Sequence, residues 1–324
     1  VQWFEKAKPF VYAWVYPIDT VDYTKLKDAF EKLSLNDSAI SFESETSKAL
    51  GLGFRCGFLG MLHMDIVKER LSREYDVETL FTTPTVAYLI QAKWFSDTRF
   101  QTWRNITGIV DAGLFIHVLH DFAPRLSLEA YQDRNTHELA TQYESELKDW
   151  IVIRSGADMI PTWEIESIYE PIAEIEIVWP EEYAGSIMEL VQDYRGELLS
   201  MDYLDETRVV WKYDLPMGEM VVDFYDALKS ATRGYATLNY EFKYYRQSDM
   251  VVLDILINEE KVEAFSLIVH RSKAYRVWAR IVEKLKTLIP KHLFTIPLQA
   301  AIGTKIIARE TIGAMRKDVT AKLY

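Results

Sequence analysis

The chain has 324 residues, 49% hydrophobic, 27% charged and 13% aromatic, a composition that folds and a length that predicts about two domains. Thirteen glycines, ten prolines and one cysteine exclude a low-complexity chain, an intramolecular disulfide and any multi-cysteine metal cluster, and suit a reducing compartment. The net charge of −12, from 37 basic and 49 acidic residues, argues at first against a nucleic-acid binder, yet residues 264–324 hold twelve Lys/Arg against three acids, a local +9 that leaves −21 on the rest.

No apolar run approaches the roughly 18 residues that span a bilayer, and the charged N-terminus does not read as a secretory leader. Residues 9–17 (PFVYAWVYP) read as a strand bounded by prolines. Thr20 is the expected cap of a helix that aligns Tyr23, Leu26, Phe30 and Leu33. Strands follow near 39–43 and 52–58, then a helix with Met64, Val67, Leu71 and Tyr75 on one face. A strand at 85–92 (TVAYLIQA) closes a βαββαβ unit, the split-βαβ pattern.

Residues 94–149 read as an insertion with a helix over 127–150, and 150–168 as a linker. The βαββαβ order then returns. A strand at 171–179 precedes a helix aligning Tyr183, Ile187, Leu190, Val191 and Tyr194. Strands near 198–204 and 207–214 flank the Asp205-Glu206 turn. A helix from Pro216 carries Met220 or Val221, Phe224 and Leu228 inward, and a strand at 236–245 ends the unit. The third module has a strand from 250 (VVLDILIN), a helix at about 272–287, a strand LFTIPLQAAI and a final helix at 305–322.

Few constellations carry chemistry. A phosphate-binding loop needs Gly-x-x-x-x-Gly-Lys-Ser/Thr, and none occurs. GLGFRCGFLG (51–60) lacks the lysine and reads as backbone packing. His117, His120 and Asp121 could share a helical face as metal ligands, but no third defined position joins them. His63 reads as a packing or interface residue. Cys56 has no nameable base and reads as a small buried hydrophobe. Glu181-Glu182 and Glu259-Glu260 fit a helix start and a turn.

The basic module is different. Arg276, Arg280 and Lys284 recur every four residues, and Lys305, Arg309 and Arg316, with Lys317 beside them, line one side of the expected last helix. A solvated face normally mixes signs, whereas these 61 residues are almost one-signed, which favours phosphate-backbone binding.

Six stretches resemble one family: GFRCGFLGMLHMDIVKERLSREYDVE (53–78), YEPIAEIEIVWPEEYAGSIMEL (169–190), LKSATRGYATLNYEF (228–242), SDMVVLDILIN (248–258), LIVHRSKAYRVWARIVEKLKTLIPK (267–291) and LQAAIGTKIIARETIGAMRKDVTAKLY (298–324). They are similar to the LepA family of translational GTPases, also called elongation factor 4. The resemblance implies an α+β chain. Residues 1–93 and 169–247 would be ferredoxin-like domains similar to domains III and V of elongation factor G. Residues 248–324 would form most of the family's own C-terminal domain.

By that resemblance Val1 falls near the start of domain III, and Tyr324 stops before a lysine-rich tail, so the expectation is a fragment. A GTPase domain would hold the GTP and Mg2+; no cofactor is expected in this chain, and no catalytic residue. The implied partners are the ribosome, through ribosomal RNA, and tRNA, with no DNA. A cytoplasmic monomer with some peripheral association at the inner face of the cell membrane is implied too. The expected RNA contacts are His270, Arg271, Lys273, Arg276, Arg280, Lys305, Arg309, Arg316 and Lys317. Phe54, Arg55 and His63 are the expected interdomain or ribosome contacts. Two other readings stay open: a GTP-hydrolysing enzyme in its own right, and a structural remnant.

Overall fold

The computed structural model describes residues 9–47, 50–93, 150–204, 208–262 and 265–315. The weak metal-ligand motif of His117, His120 and Asp121, the 127–150 helix up to residue 149, the turn at 205–206, and Arg316 and Lys317 lie outside the described residues. The chain divides into two compact units. One comprises Val1–Arg154 and Ile165–Gln247, the other Ser155–Glu164 and Ser248–Tyr324.

The first sheet is antiparallel, in the order β2-β3-β1-β4 (β1 Val11–Pro17, β2 Ser41–Ser47, β3 Gly51–Phe58, β4 Thr79–Phe81), with β5 (Thr85–Val86) also on β1. This is the ferredoxin-like order. Helix α1 (Tyr23–Asn36) buries Leu26, Ala29, Phe30 and Leu33, and α2 (Met61–Tyr75) buries Met64, Val67 and Leu71, a 3.6-residue stripe in each. Thr20 does not cap α1: it lies in a 3-10 turn, Thr20–Asp22, that Asp19 caps by accepting from the Val21 N–H, and Asp22 at the N-cap position of α1 makes no side-chain cap bond.

The expected strand 85–92 is two strands. β5 finishes the first sheet, while β6 (Tyr88–Ala92) joins the second. Val86–Ile90 are all buried, so both faces of this run are covered and its alternation is hidden. The stretch 150–168 is more than a linker: β7 (Trp150–Ile153) pairs with β6, and β8 begins at Ile165.

The second sheet is built on β8 (Ile165–Pro180), flanked by β10 (Arg208–Pro216) with β9 (Glu197–Tyr203), by β6, and by β11 (Thr237–Gln247) on the other edge. The register shows the two partners sharing β8 lengthwise: β6 takes Ile165–Tyr169 and β10 takes Ile172–Pro180. Helix α3 (Ala184–Asp193) buries Ile187 and Val191. Helix α4 comprises Met217–Glu219, a π-helical turn Met220–Phe224 and Tyr225–Ala231. Its wider turn lets Met220 and Val221 both be buried, where a regular helix would choose between them.

The second unit is a sheet ordered β13-β12-β15-β16, with β14 also on β12 (β12 Met250–Ile257, β13 Glu260–Lys261, β14 Leu267–His270, β15 Ile296–Ile302, β16 Lys305–Ile312). Asn258 and Glu259, both with left-handed φ, make the β12–β13 turn. The expected helix at 305–322 is overturned over 305–312, which is strand β16, antiparallel to β15. Gly303, at φ 60°, opens a two-residue hairpin between β-branched runs.

Candidate nucleic-acid interface

Helix α5 (Ala274–Leu288) follows a 3-10 turn, Arg271–Lys273, capped by the His270 side chain, which accepts from the Ser272 N–H. Ala274, Trp278, Val282 and Leu285 recur at helical spacing and pack on Val251, Leu253, Ile255, Leu298 and Ala300 of the sheet. Burying each large side chain contributes about 1.5–3 kcal/mol. Pro290 stops the helix: Ile289 before it is extended, at φ −77° and ψ 118°, as a pre-proline residue prefers.

With that apolar stripe fixed inward, the opposite ridge is dictated. Arg276, Arg280 and Lys284 are all exposed, at intervals of about 6 Å along the axis. Lys273 stands at the helix entrance and is half-buried. Among the described residues, Lys284 has no acidic partner within ion-pair distance. The ridge presents cations in a row, the arrangement that displaces counterions from a phosphate backbone.

The other expected contacts divide. Arg271 is ion-paired with Asp249 at 2.7 Å, and its backbone N–H donates to the Asp249 carbonyl. Its charge is locally compensated, so it is not equivalent to the ridge. The His270 ring is engaged in capping, with Nδ1 2.7 Å from Ser272 Oγ. Lys286, on the same helix, pairs with Glu310 at 2.6 Å; its ammonium holds the Glu310 carboxyl below the usual range.

Lys305 and Arg309 do not share a helical side. They lie on β16, where a register shift leaves Ile307 as an extra residue between Ile306 and Ala308. Lys305 pairs with Ile302 on the face packed by α5, while Arg309 pairs with Gln299 on the other face. The bulge turns what would be one face into two.

In the first unit, Phe54 is a correction. It is 1% exposed and stacks on Tyr23 at 5.1 Å, with Phe30 and Phe42 edge-on. Its ring is core and has no surface to offer a partner. Arg55 lies between Glu43 and Glu45 of β2. His63 accepts the Leu59 N–H at Nδ1 (3.1 Å), and Nε2–H then donates to Asp37 Oδ2 (2.9 Å). That fixes the tautomer and ties the end of α1 to the start of α2.

The glycine-rich segment does not fit a nucleotide. Gly51–Phe58 is strand β3, and a Cβ at Gly53 would run into the Tyr16 ring and the Val15 carbonyl. Its amides are spent on the sheet. Cys56 is buried, and burial pushes its thiol well up. Among the described residues no cluster of three His, Cys, Asp or Glu could hold a metal.

Sequence reasoning missed one feature beside the ridge. The strand expected from Leu293 begins only at Ile296, leaving Leu288, Leu293 and Phe294 exposed. Pro290 and Pro297 around this stretch were the available signal, since each removes a ladder donor.

Two family models match: one for the elongation factor G C-terminus over residues 167–256, and one for the C-terminus of the GTP-binding protein LepA over 257–324. Among curated relatives, an elongation factor 4 of Clostridium perfringens is 43% identical over 321 residues, 99% of this chain and 45% of that protein. Those of Alkaliphilus metalliredigens and Symbiobacterium thermophilum are 44% and 43% identical over the same 99%, each covered to 44%. The chain thus spans under half the length of these relatives. The match runs through both ferredoxin-like sheets and the basic unit, so over 99% of its length the chain is similar to elongation factor 4 (LepA) proteins.

Proposed function

We propose that this chain is the ribosome- and RNA-binding portion of a LepA-type translation factor. The observation that carries the reading is the exposed cationic ridge of α5, Arg276, Arg280 and Lys284, within the stretch that matches the LepA C-terminus. Such a ridge positions a protein on phosphates without reading sequence, which suits a factor that meets ribosomal RNA and tRNA of many sequences. GTP and Mg2+ belong, in this reading, to parts of the longer relatives that this chain does not match. The residues present offer no phosphate loop, so no step of hydrolysis is assigned to them.

A cytoplasmic, ribosome-associated location, a monomeric state and a peripheral contact with the inner face of the cell membrane complete the reading. Among the described residues no helix is long and apolar enough to cross a membrane.

Co-sedimentation with ribosomes tests it. The chain should pellet with ribosomes at low salt and leave them as salt rises, because counterion release drives the binding. Binding that ignores salt, or no binding at any salt, ends the proposal. Equilibrium binding of a labelled GTP analogue addresses the enzyme alternative, and none should be measurable for this chain.

A further inference from the structure

The corner between α5 and β15 has a composition unlike the rest of the second unit. Leu288 is 76% exposed, Leu293 78% and Phe294 58%, all within seven residues. His292 is exposed too, and its ring stacks on Phe294 with centroids 5.5 Å apart and planes 21° apart. Two near-parallel rings in solvent bury little of each other's outer surface, so the pair leaves a flat π-face open. The corner is tied to the fold by the Met315 N–H, which donates to the His292 carbonyl at 2.7 Å.

Its local sequence is one-signed, with Glu310 beyond it taken up by Lys286. From Lys284 to Arg309 the sequence contains no Asp or Glu, and Lys291 precedes the ring pair directly. A lone apolar corner would suit a lipid surface or a protein groove equally well. Planar stacked rings among cations, at the end of a helix with a phosphate-binding ridge, match the other combination: a cationic track with aromatic side chains on which bases stack.

We propose that His292 and Phe294 form a stacking platform for an unpaired base of single-stranded RNA whose backbone lies along the α5 ridge. The platform rests on the RNA-binding reading above and adds the chemical class of its target. The ridge alone holds any phosphate polymer, whereas the platform distinguishes a strand with accessible bases from one without. It recognises a π-face and no particular base edge, so it is tolerant of sequence. A base in a closed duplex is already stacked on both sides, so the platform selects single-stranded ends, loops and bulges.

Fluorescence anisotropy with the full chain tests this with two labelled probes, a 12-nucleotide oligoadenylate and an abasic ribose-phosphate 12-mer of equal charge. The chain should bind oligoadenylate about tenfold more tightly than the abasic polymer, the scale of one stacked base. His292→Ala with Phe294→Ala should bring that ratio to about one and leave the abasic affinity unchanged, which also shows that the variant is folded. Phe294→Tyr should restore the preference. Arg276→Glu with Arg280→Glu should weaken both probes together. Equal affinity of the unaltered chain for both probes, or a ratio untouched by the double alanine variant, overturns the platform while the RNA reading stands. Binding of neither probe, with no ribosome co-sedimentation, ends both. If the alanine variant keeps its ratio but loses binding to phosphatidylglycerol vesicles, the corner belongs to a lipid surface and the platform is wrong.

Discussion

The second ferredoxin-like sheet and the sheet of the second unit are both antiparallel, both carry helices packed through apolar stripes, and treat their cations in opposite ways. On the former, Lys243 lies 2.7 Å from Glu174 and 3.4 Å from Asp214, and Arg246 meets Glu197. Lys212 lies within 4 Å of Glu174 and Glu176. Arg195 is gripped by Glu170, itself 2% exposed, with Glu219 beside it. On the latter, Arg271, Lys261 and Lys286 are paired, but Lys284, Lys305 and Arg309 face no acid among the described residues. A formal charge describes neither region. What separates them is that Lys284, Lys305 and Arg309 of the latter have no acidic counterion inside the fold among the described residues.

The sharpest way to break that contrast is to remove a paired cation. Arg195→Met strands the Glu170 carboxylate in the interior, and the first unit should lose about 3–5 kcal/mol in urea unfolding. A loss under about 1 kcal/mol would mean that the pair is solvated. Removing exposed cations of the α5 ridge should spare stability and cost binding. Arg276→Glu with Arg280→Glu should weaken ribosome binding on the order of tenfold to a hundredfold at moderate salt, with a salt slope shallower by about two. A change in unfolding midpoint without a change in sedimentation would reverse the contrast.

Alkaline pH distinguishes the regions without mutation. Burial pushes Tyr213 and Tyr244 up to about 12, the latter helped by Asp214, and it raises Tyr88 and Tyr245 further. A tyrosine whose folded pKa is raised stabilises the fold fully below the unfolded value near 10, and that stabilisation is lost as pH rises from 10 through 12. In the described part of the second unit the one tyrosine is Tyr275, which is exposed. Calorimetry between pH 9 and 11, with Trp278→Phe used to assign the second unit's transition, should show the first unit's midpoint falling and the second's nearly still. Parallel shifts would sink the idea. The smallest expected effect concerns β16: Lys305→Ala should weaken ribosome binding about twofold and more than Arg309→Ala, because the bulge places them on different faces. Equal losses would put both faces in contact with RNA.

Local chemistry made much of this legible. The alternation of 171–179, the stripes of α1 and α2, the cation spacing of α5 and the +9 at the end of the chain are sequence-local, and the structure places the strand, the two stripes and the cation row as their periods dictate. Failures came where the decisive neighbour is remote. Phe54 is an expected contact by resemblance to the family, yet Tyr23, Phe30 and Phe42 close over it. Arg195 and Glu170 are 25 residues apart, and nothing between them announces the pair. Lys305 and Arg309 fit a helical spacing of four, but Gly303 and the β-branched Ile306, Ile307 and Thr311 gave the better signal for a strand.

By itself, then, the sequence determined the α+β class, the repeated βαββαβ order and the resemblance to the LepA family. It also fixed which stretch carries unbalanced charge, because periodicity, turn residues and composition act within a few positions. Only the tertiary structure decided which cations remain available. An ion pair depends on distances of a few ångströms between residues far apart in the chain, and a single bulge reverses which face a side chain takes.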